Sequence, residues 1–223
     1  MFELNSDGVV HVLTMNDGQN LMDASFFDEF DAMLGEVEAE SAADAALVLT
    51  GTGKFFSNGL NLPVVSKLPK EEFAEFGATL MRCMGRLLVF PIPTVAALNG
   101  HAFAGGAILA GSCDYRTMRE DRGWICVAEV DAGVRIDPLL VEILKAKLPP
   151  QTVRTSILEA YRYGGIEALE GGWADRLASE DELLPLAIEK AASLASKKRA
   201  IFGQVKRALY GDLAKRLGHI RKR

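Results

Sequence analysis

PIPTVAALNGHAFAGGAILAGSCD, residues 91–114, is the stretch around which the rest of the chain is organised. Its apolar run Thr94-Val95-Ala96-Ala97-Leu98 has the length of a buried strand and follows two prolines. Asn99-Gly100 is a strong turn dipeptide. Ala104-Gly105-Gly106-Ala107 then opens a run of small apolar residues suited to a closely packed helix. Glycines at a helix start let another group approach the backbone, where free N–H groups and the positive end of the helix dipole point outward. Such a place holds an anion, or an oxygen about to become one. The same residues also fit a strand-to-helix turn made only for close packing.

Working outward, Phe2-Leu4 and Val9-Leu13 around Ser6-Asp7-Gly8 read as a hairpin. Asp23 caps a helix from Ala24 to about Glu38, with Phe26, Phe27, Phe30, Leu34 and Val37 at helical spacing. Ala46-Thr50 reads as a buried strand, and Gly51–Leu62 as a loop of mixed apolar, small and amide residues. Lys70–Leu88 is an amphipathic helix with Phe73, Phe76, Leu80, Met84 and Leu87 on its apolar side. Cys113–Met118 is a further strand, and Trp124–Val127 runs inward to Glu129. A carboxylate bracketed by apolar residues there gains a raised pKa, which suits it to proton transfer, unless it is salt-bridged or exposed at a rim. From Asp137 on the pattern is helical: 138–147, 150–161, 166–171, 181–198 and 200–217. Strands alternating with helices, then helices alone, predict an α/β core over residues 1–150 and a helical C-terminal region over 151–223.

Nearly half of the 223 residues are hydrophobic, enough for a substantial core, and no run is apolar enough to span a membrane. Cys83, Cys113 and Cys126 lack CxxC spacing and read as core residues of a reducing compartment. The three histidines are scattered, which argues against a histidine metal site. Residues 197–223 carry a local charge of +9, leaving −14 for the remainder. That basic segment is read as a solvated helix face pairing with acidic surface, since no nucleic-acid motif accompanies it. The start shows no secretory signal and the end no peroxisomal address, so a cytoplasmic protein is the expectation.

In order and spacing, five pieces resemble the crotonase (enoyl-CoA hydratase/isomerase) superfamily: Gly53–Leu62, Pro93–Ala102, Ala104-Gly105-Gly106, Cys113–Arg116 and Ala128–Asp131. KFFSNG, DYRTMREDRG and AEVD look most like the Δ3,Δ2-enoyl-CoA isomerases of the plant peroxisomal type, enzymes of fatty acid β-oxidation. The resemblance implies a spiral of β-β-α units with C-terminal assembly helices, forming trimers or dimers of trimers. It implies an acyl-CoA thioester substrate and no cofactor besides the coenzyme A within it. The thioester oxygen then lies between the backbone N–H groups of Leu60 and Gly105, flanked by Gly59, Asn61, Ala104 and Gly106.

Hydratases of the family place one catalytic glutamate three residues after the second oxyanion glycine, where this chain has Ile108, and another at the position of Glu129. Keeping only the later glutamate is the isomerase pattern: one base moves a proton from C2 to C4 while Ile108 excludes water. The hydratase IPGxGG-like segment is replaced by Val134–Leu139. Lys54 is expected near the CoA, with the basic tail (Lys197, Lys198, Lys206, Arg207) at its nucleotide end and Asn20-Leu21-Met22 alongside. The alternatives are a hydratase or hydrolase that takes its acid from Asp131 or Asp137, and a non-catalytic trimer binding a CoA ester or RNA.

Overall fold

The computed structural model describes residues 1–41 and 44–219. A hairpin of β1 (Phe2–Asp7) and β2 (Val10–Met15) leads into α1 (Ala24–Glu40), whose Phe26 N–H donates to the Asp23 carboxylate. Three successive turns of chain then repeat one plan. The first is β3 (Ala46–Gly51), β4 (Phe55–Ser57), α2 (Leu62–Val65) and α3 (Lys70–Leu88). The second is β5 (Thr94–Leu98), β6 (His101–Phe103) and α4 (Gly105–Ser112), and the third is β7 (Tyr115–Arg119), β8 (Ile125–Cys126) and α5 (Glu129–Ala132). Helices α6 (Pro138–Lys147), α7 (Pro150–Glu159) and α8 (Gly165–Glu170) follow, then β9 (Arg176–Ala178), α9 (Glu180–Ala195) and α10 (Arg199–Arg216).

Each turn of this spiral gives its first strand to a six-stranded sheet, ordered β1-β2-β3-β5-β7-β9, and its second to a small sheet, ordered β4-β6-β8. All pairings except β1–β2 are parallel. Parallel strands covered on both faces read as continuous apolar runs, as β3 and β5 do. Ala46, Val48, Val95 and Ala97 face Leu183, Ala187 and Ala191 of α9, while Leu47, Leu49, Ala96 and Leu98 face the main core with α1 and α3.

The bends from one sheet to the other stack tightly. A Cβ on Gly100 would stand 2.1 Å from the Lys54 carbonyl oxygen, and one on Gly123 would stand 2.7 Å from the Gly100 carbonyl carbon. Asn99 ties the layers together: its amide oxygen accepts from the Gly51 N–H at 3.0 Å, and its amide nitrogen reaches the carbonyls of Gly53 and Phe55. The Asn99-Gly100 turn is therefore the seam of the spiral.

Several sequence expectations are corrected. Phe55–Ser57, expected as loop, is a strand. The C-terminal part is not helical throughout, since β9 adds an edge strand to the large sheet beside β7. Phe73 is exposed rather than packed on the apolar side of α3. Arg199–Arg216 of the basic tail form helix α10, and its residues 220–223 lie outside the described part. Of its basic residues, Arg199 and Arg216 pair with Glu38 and Glu142, as a charged helix face would.

Lys206 does not reach solvent and so cannot meet a nucleotide. It is buried against Asp114 at 2.9 Å, with Lys147 on the other carboxylate oxygen at 3.8 Å. The Asp114 carboxylate also accepts from the Thr94 N–H and hydroxyl. Burial pushes the Lys147 ammonium down to about 8 despite the opposing pull of Asp114. Asp114→Ala leaves two buried ammonium groups facing each other and is expected to cost about 3–5 kcal/mol of stability, measured by urea unfolding. A loss below about 1 kcal/mol would show that the cluster is not what locks α6 and α10 onto β7.

Candidate active site

The small sheet sets the geometry of the site. Leu60, Gly105 and Glu129 each follow the C-terminal end of one of its strands, so the sheet order places them side by side. Strands this short hold their register through their neighbours, and the loops leaving them are fixed by further bonds.

The first loop rests on Asn20, wholly buried with φ 49°, a left-handed conformation that asparagine tolerates. Its amide donates to the carbonyls of Phe55 and Phe56 at 3.2 and 2.9 Å, and its own carbonyl accepts from the Ser57 hydroxyl at 2.7 Å. Met22 then pairs with Leu60 as a parallel bridge: the Met22 N–H donates to Gly59 O and the Asn61 N–H to Met22 O, both at 2.9 Å. In such a bridge the residue opposite Met22 turns its own N–H away from the pairing. The Leu60 N–H accordingly has no acceptor among the described residues. Asn20-Leu21-Met22 thus holds the first loop in place.

The second loop brings in Gly105. As the first residue of α4 its N–H has no intrahelical acceptor. Ala104 precedes it with φ 49° and ψ −119°, a strained conformation for a residue with a side chain. The two loops touch closely. A Cβ on Gly59, where φ is 82°, would come within 3.1 Å of the Gly105 nitrogen, and one on Gly106 would stand 2.3 Å from Ser57 O. Only glycine permits this approach, which brings two free amides together.

Glu129 opens α5. One of its carboxylate oxygens is fully buried with no hydrogen-bond partner among the described residues. Burial raises its carboxyl above the ordinary carboxylate range. It lines a cavity of about 390 Å³ together with Leu60, Leu62, Ala104, Cys126 and Val134. Burial also pushes the Cys126 thiol up to about 11, so it stays protonated at neutral pH.

The other expected site residues divide into two groups. Asp131 lines the same cavity, whereas Asp137 caps α6 by accepting from the Leu139 N–H. The Asn61 side chain donates to Asp23 at 3.1 Å and so ties the loop to the cap of α1. Gly59, Gly105 and Gly106 shape the backbone beside the cavity. Ile108 lies one turn deeper in α4, wholly buried in the core and away from the cavity wall. Lys54 is exposed, its ammonium 5.4 Å from the centre of the Phe55 ring, and is not part of the cavity lining. Among the described residues no cluster of His, Cys, Asp or Glu could hold a metal, and no helix is long and apolar enough to cross a membrane.

Sequence reasoning missed Asn58, Phe103 and Arg162, which line the cavity as well. Arg162 arrives from a distant segment through an antiparallel bridge between Ile125 and Tyr163, and no local motif marks it.

Comparison with known proteins agrees with this architecture. A family model described as Enoyl-CoA hydratase/isomerase matches residues 5–222. Enoyl-CoA delta isomerase 2, peroxisomal, of Arabidopsis thaliana is 32% identical over 189 residues, covering 82% of this chain and 79% of that protein. A putative enoyl-CoA hydratase of Thermus thermophilus is 35% identical over 165 residues, 73% of this chain and 62% of that protein. The solved structure of the probable enoyl-CoA hydratase EchA3 from Mycobacterium tuberculosis superposes with a TM-score of 0.89 at 25% identity, covering 97% of this chain and 91% of that one. With the β-β-α spiral, the paired amides and the family match in agreement, the chain belongs to the enoyl-CoA hydratase/isomerase family and has the crotonase fold.

Proposed function

We propose that the protein is a Δ3,Δ2-enoyl-CoA isomerase that moves a 3-enoyl thioester double bond into conjugation, as fatty acid β-oxidation requires. The observation that carries this is the single buried carboxylate of Glu129, facing an apolar cavity beside two free amides. The thioester oxygen binds between the N–H groups of Leu60 and Gly105. Glu129 removes a proton from C2, the electron pair passes into the carbonyl, and the two amides hold the resulting dienolate oxygen. The dienolate then collapses, taking the same proton from Glu129 at C4, so the C3–C4 double bond becomes a C2–C3 double bond. No water is consumed. Ile108, apolar at the position where the family's hydratases carry their first glutamate, supplies no second acid or base.

The test mixes the purified protein with a medium-chain trans-3-enoyl-CoA and follows the ultraviolet absorbance of the conjugated 2-enoyl thioester, with mass spectrometry of the product. Rising absorbance at unchanged mass is the expected result. A product heavier by one water would favour a second reading, a hydratase using Asp131, which lines the same cavity. Assembly as a homotrimer or dimer of trimers accompanies the main reading. Ile201, Val205 and Leu209, exposed at four-residue spacing along α10, support it as an apolar strip open to a neighbouring copy.

A further inference from the structure

The row of strands that orders the catalytic groups has one more member. Tyr163 exchanges both backbone hydrogen bonds with Ile125, each at 3.0 Å, so the segment around it lies beside β8 on the side away from β6. Across the site the order is therefore Leu60, Gly105, Glu129 and then the Tyr163 segment. An acyl chain that runs past Glu129 from a carbonyl held by the first two meets that segment.

Arg162 stands at that far end and lines the cavity. Its guanidinium carbon lies 5.3 Å from the centre of the Trp124 ring and 5.9 Å from that of Phe103. Arg162 pairs with no carboxylate among the described residues, and it alone of the arginines lines this cavity. A guanidinium set over aromatic faces loses rotamer freedom in advance, and its in-plane N–H donors remain open for a bidentate partner. Asp131 lines the same cavity and, like Arg162, is exposed, and the two do not pair. An exposed guanidinium held over two aromatic rings at the rim of a largely apolar cavity, with no carboxylate partner among the described residues, favours a ligand that brings its own negative group.

We propose that Arg162 is a specificity-determining residue for acyl groups ending in a carboxylate, so that ω-carboxyacyl-CoA esters are preferred over plain fatty acyl-CoA esters of equal length. The proposal rests on the acyl-CoA reading of the site but not on the isomerase reaction. It is tested by isothermal titration calorimetry with saturated esters, which cannot isomerise: glutaryl-, adipoyl- and suberoyl-CoA against the matching pentanoyl-, hexanoyl- and octanoyl-CoA.

At the length that spans the cavity the ω-carboxy ester is expected to bind about 2- to 5-fold more tightly, the range for an ion pair at an exposed side chain. Arg162→Met should remove that preference, bringing the affinities of the two series together, with circular dichroism showing that the variant is folded. Arg162→Lys should keep part of it, because a point charge lacks the fork. The proposal is overturned if the wild-type protein shows no preference at any length, or if the preference survives Arg162→Met. Failure of both series to bind would overturn the acyl-CoA reading as well. The absorbance test on a 3-enoyl-CoA decides the isomerase reaction separately.

Discussion

Glu129→Gln is expected to lower turnover of a 3-enoyl-CoA by about 10²- to 10⁴-fold, the usual contribution of a positioned general base, while acyl-CoA affinity is retained. The amide keeps the size and polarity of the side chain and loses only its ability to take and return a proton. Near-wild-type turnover in the variant would rule out the single-base mechanism.

The same substitution has a signed effect on stability. Burial raises the Glu129 carboxyl above its ordinary 4.5, so the folded protein binds more protons than the unfolded chain in the window from 4.5 up to the raised value. Stability therefore falls as pH rises through that window, and the ionised form destabilises the fold above it. Glu129→Gln removes this loss. The variant should be more stable than wild type at pH 7, with the advantage disappearing toward pH 4, as urea unfolding at several pH values will show. Wild-type kcat/KM should rise with pH along an acidic limb centred above the usual carboxylate range, and the residual activity of the variant should lack that limb.

Gly59→Ala is the second large effect, an expected loss of about 10²- to 10³-fold in kcat, the magnitude of losing one oxyanion donor. The added Cβ would meet Phe103 O at 2.9 Å, Ala104 Cβ at 3.0 Å and Gly105 N at 3.1 Å, all parts of the second loop's backbone or its shortest side chain. None can swing aside, so the two loops must separate and their N–H groups no longer converge. Positive φ adds about 1–2 kcal/mol of strain for any L residue. Gly53→Ala isolates that part: Gly53 has φ 65°, and its Cβ would find nothing within 4 Å. Gly53→Ala should lose some thermal stability and little kcat. Equal kcat losses in both variants would mean that strain, rather than separation of the two amides, governs the effect.

The sequence alone determined the elements whose causes are local. The helices 24–40, 70–88 and 138–147 follow from apolar spacing and from Asp23 or Asp137 at their starts, and β3 and β5 from short, wholly apolar runs. The glycine loops and Glu129 draw attention at their own positions, but those residues alone fit a packing turn or a rim glutamate equally well, and only the resemblance to the crotonase superfamily singles them out as candidate site residues. Tertiary structure alone decided the rest. Strands β4, β6, β8 and β9, of two or three residues each, are too short for periodicity and exist only because partners distant in sequence complete their ladders. Lys206 looks like one more solvated cation of a basic tail until Asp114, 92 residues away, holds it inside. Arg162 becomes part of the site only because Tyr163 pairs with Ile125. Burial and juxtaposition depend on which distant segments the chain brings together, and no window along the sequence contains both partners.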